Sequence, residues 1–387
     1  MKRIISTTLA AFMLAGSITA CAPKQEAQAP AENKPVATEN ALKVVTTIFP
    51  PYDFTKQIAK DKATVSMLLP PGSESHSFEP SPQDIINIEQ ADLFIYNGGD
   101  SDHWVDEILE SMGDKAPDTL KMMDIVNLLE EEVIEGMEPH DHDHDHGHDD
   151  KDKDHDHSHD DKDKDHEHND KEYDDKDHEH NDKEHDDKNK EDKDHSHDDK
   201  DKEHDHDHDH EHVMDEHVWT SPKNAVKISE AIASKLSQKD SANAQFYIEN
   251  LNAYKEELNK LDKQFEDIVA NAKIKTMVFG DRFPLRYFAH DYNLNYYAAF
   301  VGCSTQSDAS AATVAFLIDK VKEEKIPTVF HIELSAHKIA DAIADSTGAE
   351  VALFHSCHNL SKEDFDAGKT YVSLMQTNAE TLKKALQ

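Results

Sequence analysis

Short runs of β-branched and apolar residues alternate along this chain with longer stretches whose apolar positions recur every three or four residues. The first pattern predicts buried strands and the second predicts helices. Their alternation predicts parallel sheets covered by helices. In the first half, strands are expected over Lys43–Ile48, Thr64–Leu69 and Leu93–Tyr96, with helices starting near Tyr52, Pro82 and His103. In the second half, strands are expected over Thr276–Phe279, Leu294–Phe300, Thr328–His331 and Val351–Phe354. Helices there fit Leu285–His290, Ala311–Glu324, Ala336–Ser346 and Thr370–Leu386. From Ala242 to Ala272, the residues Phe246, Ile248, Leu251, Tyr254, Leu258, Leu261, Phe265 and Ile268 fall mostly three or four apart, with no Gly or Pro among them. This spacing marks one face of a single long helix. The expected fold is α/β, in two lobes, each a mainly parallel sheet flanked by helices. One stiff helix joins the lobes and limits hinge closure; an ordinary surface helix is the alternative.

Two stretches break the pattern. Residues 1–20 read as a signal peptide: Lys2 and Arg3, an apolar run from Ile4 to Ala15, and small residues before Cys21. The apolar run is too short to span a bilayer. The string Ile18-Thr19-Ala20-Cys21 looks like a bacterial lipoprotein box, which makes Cys21 the lipidated first residue; an ordinary signal peptide cut near Ala20 is the competitor. Residues 21–41 then form a polar tether. The second stretch, 140–212, contains 20 of the 28 histidines, with 34 Asp or Glu against 12 Lys, and carries more than half of the formal net charge of −40. Such a sequence cannot build a packed core and reads as a disordered loop. The expected organisation is signal 1–20, tether 21–41, first lobe 42–139 and 213–240, loop 140–212, interlobe helix 241–272 and second lobe 273–387.

The negative balance argues against a nucleic-acid partner, which would need Lys/Arg patches. After Cys21 only Cys303 and Cys357 remain. In an oxidising compartment the pair reads first as a disulfide, with thiolate ligation of a metal as the alternative.

In open α/β sheets, ligands bind at the carboxyl ends of strands. Of the eight histidines outside the loop, His76, His331, His355 and His358 lie at the ends of expected strands, and His217 sits in Asp215-Glu216-His217-Val218-Trp219 directly after the loop. A lone loop histidine is usually solvated, but several converging on one edge fit zinc, which neutral imidazole binds in tetrahedral shells. Glu333, Asp281 and Arg282 are near enough to serve as a ligand, an outer acceptor and a charge beside the site, or only as loop residues.

The strings PPGSESHSFEPSPQD (70–84), DEHVWTSP (215–222) and YVSLMQTNAETLKKAL (371–386) resemble motifs of the zinc- and manganese-binding solute-binding proteins of ABC importers. The resemblance covers nearly all of 42–387 apart from the loop. It implies two α/β lobes joined by a rigid helix, with one metal between them, and assigns His76 and His217 as ligands. Zinc-type members carry a third histidine where this chain has Gly280, and an acidic fourth ligand at a position matching His355. The expected ligand set is therefore His76, His217 and His355, with His358 or water fourth. Histidines favour Zn2+ over Mn2+.

The function expected is zinc capture outside the cytoplasm and delivery to an ABC permease. The protein is expected to be a monomer tied to the membrane by its lipid anchor alone. The loop would collect metal through many weak sites; a solvated acidic spacer is its bland alternative. A secreted zinc hydrolase is one rival. Glu74, Glu79 or Glu333 could be nominated as its base, but no HExxH or nucleophile motif is present. A passive metal buffer or adhesin is the other, and the motifs of a formed pocket argue against it.

Overall fold

The structure is a computed structural model, and it describes residues 41–75, 77–137, 213–306 and 308–387. The signal segment, Cys21 and nearly all of the tether, His76 and the whole of the 140–212 loop lie outside the described residues. The described residues divide into two units. The first draws on Met1–Val126, Pro222–Asp262 and Cys357–Leu374, and the second on Asn127–Ser221, Lys263–Ser356 and Met375–Gln387. The segments on either side of the loop, and the start of the final helix, are thus divided otherwise than the lobe boundaries expected from sequence.

In the first unit, strands β1 (Leu42–Thr46), β2 (Ala63–Met67), β3 (Leu93–Tyr96) and β4 (Asp118–Lys121) form one sheet in the order β2-β1-β3-β4, with every pairing parallel. Val45, Phe94 and Tyr96 pack with Leu68, Ile88, Trp104 and Val105 in one buried cluster. The chain turns from β1 into the helix Phe49–Ala59, where two prolines occupy the first turn; their missing N–H groups cost nothing there. The helix Pro82–Glu89 begins with a reciprocal cap, the Ser81 side chain accepting from Asp84 N and the Asp84 carboxylate from Ser81 N at 2.9 Å. At the ends of β1 and β3, the buried Asp102 carboxylate accepts from Asn97 N at 2.7 Å, Gly98 N at 3.1 Å and Thr47 Oγ1 at 3.2 Å.

The second unit repeats this topology. Strands β5 (Thr276–Phe283), β6 (Asn295–Val301), β7 (Thr328–His331) and β8 (Glu350–Leu353) run parallel in the order β6-β5-β7-β8. Val278, Ala299, Phe300, Val329 and residues of the helices Ala311–Glu324 and Lys338–Thr347 close one core cluster. An aromatic cluster includes Phe279, Phe330, Phe288 and Phe354, with contacting ring centroids 5.2–6.3 Å apart. Strand β5 runs four residues past its expected end, with a register shift between Phe279 and Arg282. Asp281 and Arg282 therefore lie inside the strand rather than after it.

The long helix spans Ala244–Ala270 without interruption and carries the chain from the first unit's residues into the second's. Its buried positions are Tyr247, Tyr254, Leu258, Leu261, Phe265 and Val269. At its first turn the buried position is Tyr247, whereas Ile248, expected on the inner face, is 44% exposed.

Asp53 sits buried on the inner side of Phe49–Ala59, accepting from Gln57 Nε2 at 3.0 Å and Tyr371 N at 3.0 Å. Burial outweighs these bonds and pushes its carboxyl up to about 6. A carboxyl raised in the folded state is stabilising while neutral, so its contribution is full below about 3.9, the unfolded value, and is lost as pH climbs through about 6. Asp53→Asn should remove that loss, worth at most about 3 kcal/mol. Thermal melting from about pH 4 to about pH 7 checks this: wild type should lose stability relative to the variant as pH rises. Parallel curves would show that Asp53 is charged throughout.

Candidate metal centre

His217 is fixed by the residues around it in sequence. The Asp215 carboxylate accepts from His217 N at 2.8 Å and lies 3.2 Å from its Nδ1, so one oxygen sets both backbone turn and ring orientation. Thr220 Oγ1 donates to His217 O at 2.8 Å across the short 3-10 turn Val218–Thr220. Trp219 packs edge-on, 5.4 Å from the imidazole, and its Nε1 donates to Ser356 O at 2.9 Å. Asp215 is itself pinned, its N–H donating to Leu129 O at 2.9 Å and its carbonyl accepting from Tyr287 Oη at 2.7 Å. A short antiparallel bridge, Glu130 with Met214, joins the segments before and after the 138–212 stretch.

Asp215, Glu216 and His217 are all buried. Burial is the largest influence on the imidazole and lowers its pKa. The Asp215 charge and hydrogen bond, with the charges of Glu216 and Glu131, more than offset it, and the net shift is upward. A buried imidazole among carboxylates favours a cation at this spot. With Nδ1 held by Asp215, Nε2 is the nitrogen that an imidazole oriented in this way would present to a metal.

The ligand atoms of Glu216, His217 and Cys303 lie within 4.8 Å of one another. Cys303 reaches this position because Gly302 precedes it at the end of β6. A Cβ on Gly302 would lie 3.1 Å from both His217 Cε1 and Phe283 O, a tight fit that a few tenths of an ångström of movement would have to relieve. Cys303 and Cys357 both carry thiols. The disulfide expected first is not formed, and Cys303 lies instead with two other metal-ligating groups, in line with the alternative of ligation.

The other expected ligands have different surroundings. His355 is buried in the second unit, its N–H donating to Asn378 Oδ1 at 2.7 Å and its Nδ1 lying 3.4 Å from Glu333. Glu333 also accepts from Ser356 N at 2.7 Å and Ser356 Oγ at 2.6 Å. In this structure it is an orienting acceptor for Ser356 and His355. His358 belongs to the first unit, with Nδ1 3.3 Å from Ser75 Oγ, so the two histidines three apart have separate partners. His331 turns its Nδ1 to the carbonyl of Ile332 at 2.9 Å and packs on His337. Asp281 accepts from Ile332 N at 3.2 Å and Arg282 N at 2.8 Å, while Arg282 donates to Ser304 O at 3.3 Å. Both serve to hold the strand ends. His76 lies outside the described residues.

Gly280 has a packing reason. A Cβ there would lie 2.4 Å from both Cα and N of Ala340, in backbone that cannot give way. The position where the resemblance would place a third histidine has no room for any side chain. Gly280→Ala should destabilise the protein by about 1–3 kcal/mol through overpacking, read as a lower melting temperature. Unchanged melting would mean that the helix Lys338–Thr347 can move aside.

Two units, each an all-parallel sheet of the same strand order, with imidazole, carboxylate and thiol gathered at a strand end of the second, define a metal-binding α/β protein of the solute-binding class. The chain belongs to the family described as the periplasmic component A of the zinc-uptake complex, ZnuA, which it matches over residues 44–385. It is 29% identical to the high-affinity zinc uptake system protein ZnuA of Bacillus subtilis, covering 89% of this chain and 88% of that one. It is 28% identical to the zinc-binding lipoprotein AdcA of Streptococcus pneumoniae, covering 99% of this chain but 61% of the longer relative. The Zn(II)-bound ZnuA-like domain of the pneumococcal AdcA superposes with a TM-score of 0.61 at 26% identity, covering 89% of this chain and 99% of that domain.

Proposed function

We propose that this chain captures Zn2+ outside the cytoplasm and delivers it to an ABC permease, held at the membrane by a lipid on Cys21. The observation that carries the proposal is His217: buried, oriented through Nδ1 by Asp215, and surrounded by negative charge. Relatives named for zinc uptake and zinc binding support the choice of metal. The protein acts by stoichiometric binding and release without turnover, as a substrate-binding component of a transporter. The histidine-rich 140–212 loop gathers metal weakly, because a flexible array must be ordered on binding, while the formed site retains it.

Calorimetric zinc titration separates the two. His217→Ala should weaken the tight site on the order of 100-fold or more, since even outer partners of metal ligands are worth 10–100-fold. Deleting 140–212 should leave that site and remove many weaker ones. Loss of the tight site on deletion would move the function into the loop. The same titration on His76→Ala, His355→Ala and His358→Ala assigns the remaining histidines. Cys21→Ser should release the protein from the membrane fraction, and a variant still membrane-bound would defeat the anchor.

A further inference from the structure

We infer that Cys303 is a thiolate ligand of the metal bound at His217, taking the place in the shell that Gly280 has no room to fill; this rests on His217 being the zinc site. Three observations converge. The sulfur lies within 4.8 Å of ligand atoms of both His217 and Glu216, close enough for one ion to bond to all three. Cys303 is only partly buried, whereas Cys357 is fully buried, so the thiol at this site is the one an incoming ion reaches. The backbone beside Cys303 packs closely on the imidazole, since a Cβ on Gly302 would lie 3.1 Å from His217 Cε1 and 3.2 Å from its Nδ1. Zn2+ bonds readily to a mixed set of imidazole nitrogen, thiolate sulfur and carboxylate oxygen. On binding, the thiol proton passes to solvent as the Zn–S bond forms.

The substitution of sulfur for a third imidazole changes what the site prefers. Soft thiolate favours zinc and other thiophilic ions, while manganese favours oxygen. The site should therefore reject Mn2+ through its ligand chemistry, independently of the 140–212 loop.

The test uses the full chain with Co2+ as the optical probe and Zn2+ for affinity and X-ray absorption. Wild type should show the near-ultraviolet sulfur-to-cobalt charge-transfer band. Cys357→Ala should keep it, and Cys303→Ser should lose it while still binding metal. Zinc affinity of Cys303→Ser should fall at least 10–100-fold, the loss seen for outer partners of ligands. The zinc absorption edge should report one sulfur at about 2.3 Å, absent in Cys303→Ser. Zn2+ should also protect Cys303 from alkylation. A tight wild-type site that contains no sulfur, or a band that survives Cys303→Ser, would overturn this inference and leave the zinc-capture reading standing. Normal zinc binding by His217→Ala would instead bring down that reading.

Discussion

The buried pairing of Asp215 with His217 is the interaction on which the metal centre depends. One carboxylate oxygen receives the backbone N–H and faces the ring Nδ1, so the tautomer, the ring angle and the local turn are set by the same group. Burial without that partner would drive the imidazole toward neutrality, yet the surrounding charges of Asp215, Glu216 and Glu131 pull its proton affinity above the ordinary value. What favours a proton here favours a dication more, because the Coulomb term scales with charge and little water lies between the groups to screen it. The site is thus negative before metal arrives, and its neighbours are fixed to keep it so: Leu129 and Tyr287 hold both backbone groups of Asp215.

Two glycines set its shape from the opposite side. Gly302 lets the end of β6 approach the imidazole, and Gly280 lets β5 press against Ala340. The second contact removes a ligand position and the first supplies another. A missing histidine and a nearby cysteine are then two consequences of how closely backbone can approach backbone in this sheet.

Much of the fold was legible because periodicity reports burial directly. The interlobe helix, the parallel strands and the helix Ala311–Glu324 all follow the apolar pattern. Strand β4 escaped because Asp118-Thr119-Leu120-Lys121 forms an edge strand with little to bury, and its sequence reads as a loop. The strand β5 ran past its expected end because Gly280-Asp281-Arg282 looks like a turn, whereas the glycine is there for packing. His217 could be found from the motif around it. The sulfur could not be assigned, since two cysteines in an oxidising compartment satisfy the disulfide rule equally well. Only the folded backbone places Cys303 with His217 and Glu216. The signal was present in Gly302-Cys303, a small residue before a ligand-capable one at a strand end.

The two units share a strand order, and both use acidic residues in or near their central strands for structural ends. Asp102 is engaged by two backbone N–H groups and Thr47 in the first unit. In the second, Asp281 is engaged by Arg282 N and Ile332 N, and Glu333 by Ser356 and His355. A carboxylate that already accepts such bonds is a poor metal ligand, since coordination would leave buried N–H donors unsatisfied. These three carboxylates are therefore committed before any ion binds. Gathered within 4.8 Å of one another in the second unit are the His217 imidazole, the Glu216 carboxylate and the Cys303 thiol. That set tilts toward nitrogen and sulfur, so the preference for zinc over manganese follows from how the sheet ends are held together as much as from the ligands themselves.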